Sequence, residues 1–113
     1  MSDECLFCRI ARGDIPAAFV AETEDAVAIR DISPKAPVHV LVIPRTHIES
    51  LATADDEPLL GRLLGLAAKI ADQEGIASTG YRTVINTGED GGQSIGHFHI
   101  HVLGGRHLTW PPG

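Results

Sequence analysis

Basic residues are scarce in this chain: nine Lys and Arg stand against fifteen Asp and Glu, for a formal net charge of -6. Binding along a nucleic-acid backbone needs clustered Lys and Arg, so this balance argues against it while leaving a single bound nucleotide open. Cysteine is scarcer still. Its two copies, Cys5 and Cys8, lie too close together to brace a domain as a disulfide framework. No run approaches the roughly 18 apolar residues that cross a bilayer. Met1-Ser-Asp-Glu-Cys5 has neither a basic n-region nor an apolar h-region, so no secretory leader is expected. Repeats, linkers and low-complexity segments are also missing. A cytoplasmic protein with no nucleic-acid or membrane partner is the expectation.

What remains is ordinary in bulk and unusual in one place. Hydrophobic residues at 43% and charged residues at 21% are those of a globular protein, and 113 residues make one domain, 1–113. Near the C-terminus His97, His99 and His101 alternate with Phe98, Ile100 and Val102. Strict alternation is the period of a half-buried strand, predicted over 97–103, with three imidazoles on one face about 6.6 Å apart. Histidines give such a strand no packing. Function explains them better.

The rest of the chain frames that strand. Leu6, Phe7 and Ile10 form an apolar stripe on a short helix stopped by Gly13 and Pro16. Phe19–Glu22 and Ala26–Ile29 read as a hairpin around Thr23-Glu-Asp25, and Asp31–Pro37 as a loop. Val38–Ile43 is a buried strand stopped by Pro44, and its one histidine, His39, needs a partner. A long helix over 55–74 is capped by Asp55 or Asp56, has Pro58 in its first turn and ends at Gly75. Gly61 and Gly65 lie four apart on that helix and suggest close approach of another backbone. Tyr81–Asn86 is a further strand, and Thr87–Gly92 a flexible turn. The tail, 104–113, is too rich in Gly and Pro for a regular element, and its lone Trp110 is expected to be packed.

His97-Phe-His-Ile-His-Val-Leu103 resembles the signature of the histidine triad (HIT) nucleotide-binding family. Gly91-Gly-Gln-Ser94, Leu103-Gly-Gly-Arg106, Trp110-Pro-Pro-Gly113, Asp31-Ile-Ser-Pro34 and Ala36–Pro44 are similar to its Hint branch, so the resemblance runs from Cys5 to Gly113. It implies an α+β, HIT-like fold: a five-stranded antiparallel sheet with one long and one short helix, dimerising into a ten-stranded sheet. It also implies a purine nucleoside phosphoramidase that forms a nucleotidyl-histidine intermediate on His99 and releases AMP or GMP and an amine. By motif position His101 contacts the phosphate, Ser94 bonds it or protonates the leaving amine, and His39 supports the triad. Asn86 and the backbone around Gly92, Gln93 and Ser94 lie beside the phosphate. Asp31 grips the ribose hydroxyls, although the same carboxylate could simply cap a turn. Leu6, Phe7, Ile10, Ile29, Ile32 and Leu41 line an apolar base cleft, Ile29 and Leu41 also reading as plain core, and Trp110 reaches the other subunit's site.

Cys5-x-x-Cys8 supplies half of a tetrahedral zinc site, and the other half must come from elsewhere. By resemblance His47 and His97 close it, as a structural zinc that stabilises without catalysing. Inert thiols and a redox dithiol are the alternatives, the latter disfavoured because no βαβ-type strand precedes the motif. Two other functions stay open. The triad could chelate a catalytic metal, since His-x-His on a strand is a chelating pattern. The protein could instead be a nucleotide-binding scaffold with incidental hydrolysis.

Overall fold

In chain order the elements are α1 (Leu6–Ala11), β1 (Phe19–Glu22), β2 (Ala26–Arg30), β3 (Val38–Pro44), α2 (Glu57–Gln73), β4 (Tyr81–Val84) and β5 (Ile100–Gly104). They come from a computed structural model that describes residues 5–113. Residues 1–4, on which the expectation of no secretory leader rests, lie outside the described residues. The five strands form one sheet in the order β1-β2-β3-β5-β4, with every neighbouring pair antiparallel. No helix among the described residues is long and apolar enough to cross a membrane.

The strands alternate, and each of the sheet's two faces meets a helix. Ala26, Ala28, Val40, Val42, Ile100 and Val102 turn to the face covered by Leu59, Leu63, Ala67 and Ile70 of α2. Val27, Ile29, Leu41 and Ile43 turn the other way, onto Phe7, Ile10 and Ala11 of α1. Burying a side chain of this size is worth about 1.5–3 kcal/mol, so α2 is held by packing more than by propensity. Asp56 caps it, accepting the Leu59 N–H at 3.0 Å. The Gly61–Gly65 expectation is not met within the chain: a Cβ built on either meets nothing within 4 Å. Both glycines are exposed.

The triad strand is shorter than the alternation predicts. Its ladder with β3 begins at Val42 opposite Ile100 and ends at Val38 opposite Gly104. Pro44, at the end of β3, has no N–H to continue the ladder. The Phe98 N–H turns instead to the Ile48 carbonyl at 2.6 Å, and the His97 N–H to the Ile95 carbonyl at 2.8 Å. His97 and His99 therefore approach the sheet without belonging to it. The β4 ladder likewise stops at Val84, leaving Asn86 in the connection beyond the strand.

Candidate active site

β3 and β5 set the first two functional rings side by side. Leu41 pairs with His101 and His39 with Leu103, so the two histidines are diagonal neighbours on the α1 face. Their tautomers follow from the backbone. The Lys35 N–H donates to His39 Nδ1 at 3.0 Å, so His39 carries its proton on Nε2. That N–H donates to His101 Nδ1 at 2.9 Å, which places the His101 proton on Nε2. His101 Nε2 is buried with no hydrogen-bond partner. The relay ends in an unused donor, which is what an anionic oxygen requires.

Burial lowers the His39 pKa, with the Asp31 carboxylate pulling the other way. His101 is pushed down to about 4, first by burial, then by His99 and His39, against a smaller upward pull from Asp31. The stability tied to a neutral His101 is fully present above its ordinary value of 6.5. It is lost as pH falls from there to about 4, where the unfolded chain binds a proton that the folded site refuses. Thermal melts from neutral pH down to about 4 should show a falling Tm, with a shallower slope in His101→Asn. Identical slopes in the two proteins would contradict the buried neutral ring.

His99 is held differently. Its Nδ1 lies 2.7 Å from the His97 carbonyl, which can only accept, so Nδ1 carries the proton and Nε2 the free lone pair. The ring is 7% exposed and lies beside His101, tilted by 60° with centroids 5.0 Å apart. Phe7 meets it edge-on at 5.0 Å.

Beside these rings Asp31, His39, Asn86, Ser94 and His101 line a cavity of about 380 Å³. Asp31 Oδ2 is 3.4 Å from His39 Nε2, and its Oδ1 accepts the Ser33 N–H at 2.8 Å, so this carboxylate does cap its turn. Gly92, at φ +80, turns the chain toward Ser94. Two of the three expected anion donors are already spent: the Gly92 N–H bonds Glu89 O and the Gln93 N–H bonds Gly88 O, each at 3.0 Å. Gln93 works as a staple instead. Its amide donates to Glu49 O at 2.7 Å and Ile95 O at 3.1 Å, and accepts the Gly88 N–H at 3.0 Å. Gln93→Ala should cost about 1–3 kcal/mol by denaturant unfolding and loosen the Ser94 loop; unchanged stability would contradict the staple.

Of the residues expected to line a base cleft, Phe7, Ile10, Ile29 and Leu41 lie buried in the core under α1. Leu6 is 43% exposed and Ile32 is 98% exposed. Trp110 is not packed as expected. It is 79% exposed and meets the Arg82 guanidinium 5.8 Å from its ring centre, the same guanidinium that donates to the Leu108 and Thr109 carbonyls at 3.3 and 2.9 Å.

The first triad ring joins the N-terminal cysteines. Cys5, Cys8, His47 and His97 converge, with His97 Nδ1 3.2 Å from Cys5 Sγ, 3.5 Å from Cys8 Sγ and 3.1 Å from His47 Nδ1. Cys8 Sγ is 3.3 Å from His47 Nδ1. A tetrahedral ion with bonds of about 2.0–2.3 Å spaces such donors about 3.3–3.8 Å apart, so the four could hold a metal ion. His97 Nε2 donates to the Pro44 carbonyl at 2.9 Å, which leaves Nδ1 as a bare lone pair aimed at the cluster. Burial, then Cys5, pushes the Cys8 thiol up to about 11; a bound cation reverses this by deprotonating coordinated sulfur.

This division breaks up the three-histidine chelate. Among the described residues no donor cluster joins His97, His99 and His101. Asp31, His39 and His101 do converge, but a cation there has to displace the His39–His101 hydrogen bond. What the sequence hid are backbone partners: the Lys35 N–H and the carbonyls of Pro44 and His97. Only Pro44, which must end a ladder, gave a signal for any of them.

The chain is similar in sequence and fold to known proteins. A family model described as the HIT domain matches residues 12–108. An uncharacterized HIT-like protein of Synechococcus elongatus is 54% identical over 115 residues, covering 100% of each chain. The purine nucleoside phosphoramidase of Escherichia coli K12 is 47% identical over 110 residues, 96% of this chain and 92% of that one. The crystal structure of a HIT family hydrolase from Legionella pneumophila matches with a TM-score of 0.95 at 48% identity, covering 97% of this chain and 100% of that one.

Proposed function

Because the chain belongs to the HIT domain family and is a hydrolase, we propose that it hydrolyses purine nucleoside 5'-phosphoramidates through a covalent intermediate on His99. The observation that carries this is the 2.7 Å bond from His99 Nδ1–H to the His97 carbonyl, which frees the Nε2 lone pair. Nε2 attacks the α-phosphorus, and the P–N bond breaks with its electron pair going to nitrogen. Ser94 is suited to deliver the proton that the departing amine takes up. Water then attacks the phosphorus of the nucleotidyl-histidine and releases AMP or GMP with His99 restored.

The unpartnered His101 Nε2–H donates to a non-bridging phosphoryl oxygen as charge builds there. Asn86 and the Ser94 backbone flank the same oxygens, and Asp31, on the cavity rim, accepts from the ribose hydroxyls. The base lies against Leu6 and Ile32, with Phe7, Ile10, Ile29 and Leu41 beneath. Zn²⁺ held by Cys5, Cys8, His47 and His97 supplies structure, and no step of the reaction runs through it. A homodimer joined at the β4 edge gives Trp110 a place at the other subunit's site, and cysteines not joined in a disulfide suit the cytoplasm.

The test is turnover of an adenosine 5'-phosphoramidate with a fluorescent amine, with and without EDTA in a short incubation. Robust EDTA-insensitive hydrolysis is expected. Activity lost within the mixing time would restore a catalytic metal, and tight AMP binding with no turnover would leave only a scaffold.

A further inference from the structure

We propose that the metal cluster sets the tautomer and position of the His99 ring, with His97 and Phe7 as positioning residues for the nucleophile. The inference rests on the reading of His99 as nucleophile. Two separate contacts join the cluster to that ring.

The first runs through one residue. His97 puts Nδ1 into the cluster 3.2 Å from Cys5 Sγ, and its own carbonyl accepts the His99 Nδ1–H at 2.7 Å. Its side chain is fully buried, and its remaining ring nitrogen is fixed on Pro44 O at 2.9 Å. The second runs through the helix between the cysteines. Phe7 lies between Cys5 and Cys8 in sequence and meets His97 at 5.9 Å and His99 at 5.0 Å, edge-on to both. At six residues α1 cannot stand alone, so its anchors decide where Phe7 sits.

The sheet holds the neighbours of the His99 ring but not the ring itself: Phe7 packs on Val27, Ile29, Leu41 and Ile43, and Phe98 is buried in the core on the opposite face. The ladder between β3 and β5 stops at Ile100, and residues 97–99 lie outside it. With zinc bound, His97 is pinned at ring and carbonyl together. Without it, the cluster relaxes to weak thiol–imidazole hydrogen bonds, and His97 and Phe7 gain room to shift. The His99 ring can then take up the other tautomer, with its proton on the nitrogen that should attack. Binding groups such as Asp31 and His101 belong to the sheet and its loops, so they stay in place.

The experiment compares zinc-loaded protein with the same full chain stripped by prolonged chelation and checked for fold by circular dichroism. Imidazole ¹⁵N shifts report the His99 tautomer, and steady-state kinetics separate kcat from KM. Expected on stripping is loss of the Nδ1–H form, a kcat lower by roughly ten- to a hundredfold with KM within about twofold, and recovery on adding Zn²⁺. An unchanged tautomer and kcat in folded, metal-free protein would overturn the proposal. So would a KM that rises as far as kcat falls. If stripping unfolds the chain, His47→Ala decides, since His47 is the exposed ligand and lies far in sequence from the triad. In that variant the tautomer and kcat must follow zinc occupancy through a titration, and independence from zinc overturns the coupling. The ¹⁵N reading needs no substrate, so a failure of the phosphoramidase assignment would show separately, as turnover surviving His99→Asn.

Discussion

His99→Asn should lower kcat by about 10⁴-fold or more while leaving the fold and AMP binding nearly intact. Asparagine suits the test because its amide nitrogen can reach the His97 carbonyl as Nδ1 does at 2.7 Å, yet it carries nothing in place of Nε2. The position is 7% exposed, so a residue that preserves that bond limits damage to packing. A 10⁴-fold loss is about 5.4 kcal/mol of transition-state stabilisation, too much for a lost contact alone and appropriate for a lost nucleophile. Binding should barely change, because the groups around the cavity come from β3, β5 and their loops. Turnover within tenfold of wild type would assign the attack elsewhere.

The second large effect is on stability. Cys5→Ser with Cys8→Ser should lower Tm by roughly 10–20 °C and make it insensitive to chelator, with metal content near zero. Structural zinc binding is folding free energy, and each kcal/mol lost from a domain of this size moves Tm by about 4–8 °C. Losing only about 3 kcal/mol of that contribution reaches the stated range. The cluster ties α1, the segment after β3 and the approach to β5 together across some ninety residues of chain, from Cys5 to His97. A wild type that purifies without metal, melts as high as the double variant and ignores chelator would contradict the assignment.

The parts of this site legible in the sequence are those whose residue types carry the message themselves. Alternation put Phe98, Ile100 and Val102 in the core, and they are there, because period two holds even where the ladder does not. His39 needed a partner and has two, the Lys35 N–H and His101. The four cysteine and histidine donors, chosen by resemblance, do converge. Illegible were matters settled by backbone groups, which are alike at every position. Strand order depends on long-range pairing, and local pattern says nothing of it. The early end of the triad ladder was hidden because histidine rings can take backbone partners that a strand would otherwise claim. Gln93 read as part of a phosphate loop, yet its amide and its N–H are both used to hold that loop together. Gly61 and Gly65 cost helix propensity and meet nothing within the chain; their presence has no explanation in this fold.

The most direct measurement is rapid-quench mass spectrometry of the wild-type protein mixed with an adenosine 5'-phosphoramidate. One adenylyl group on the chain, mapped to His99, formed in a burst with the amine and lost at the rate of AMP release, is the predicted result. Steady turnover with no adduct at any quench time, or an adduct on a residue other than His99, would contradict it.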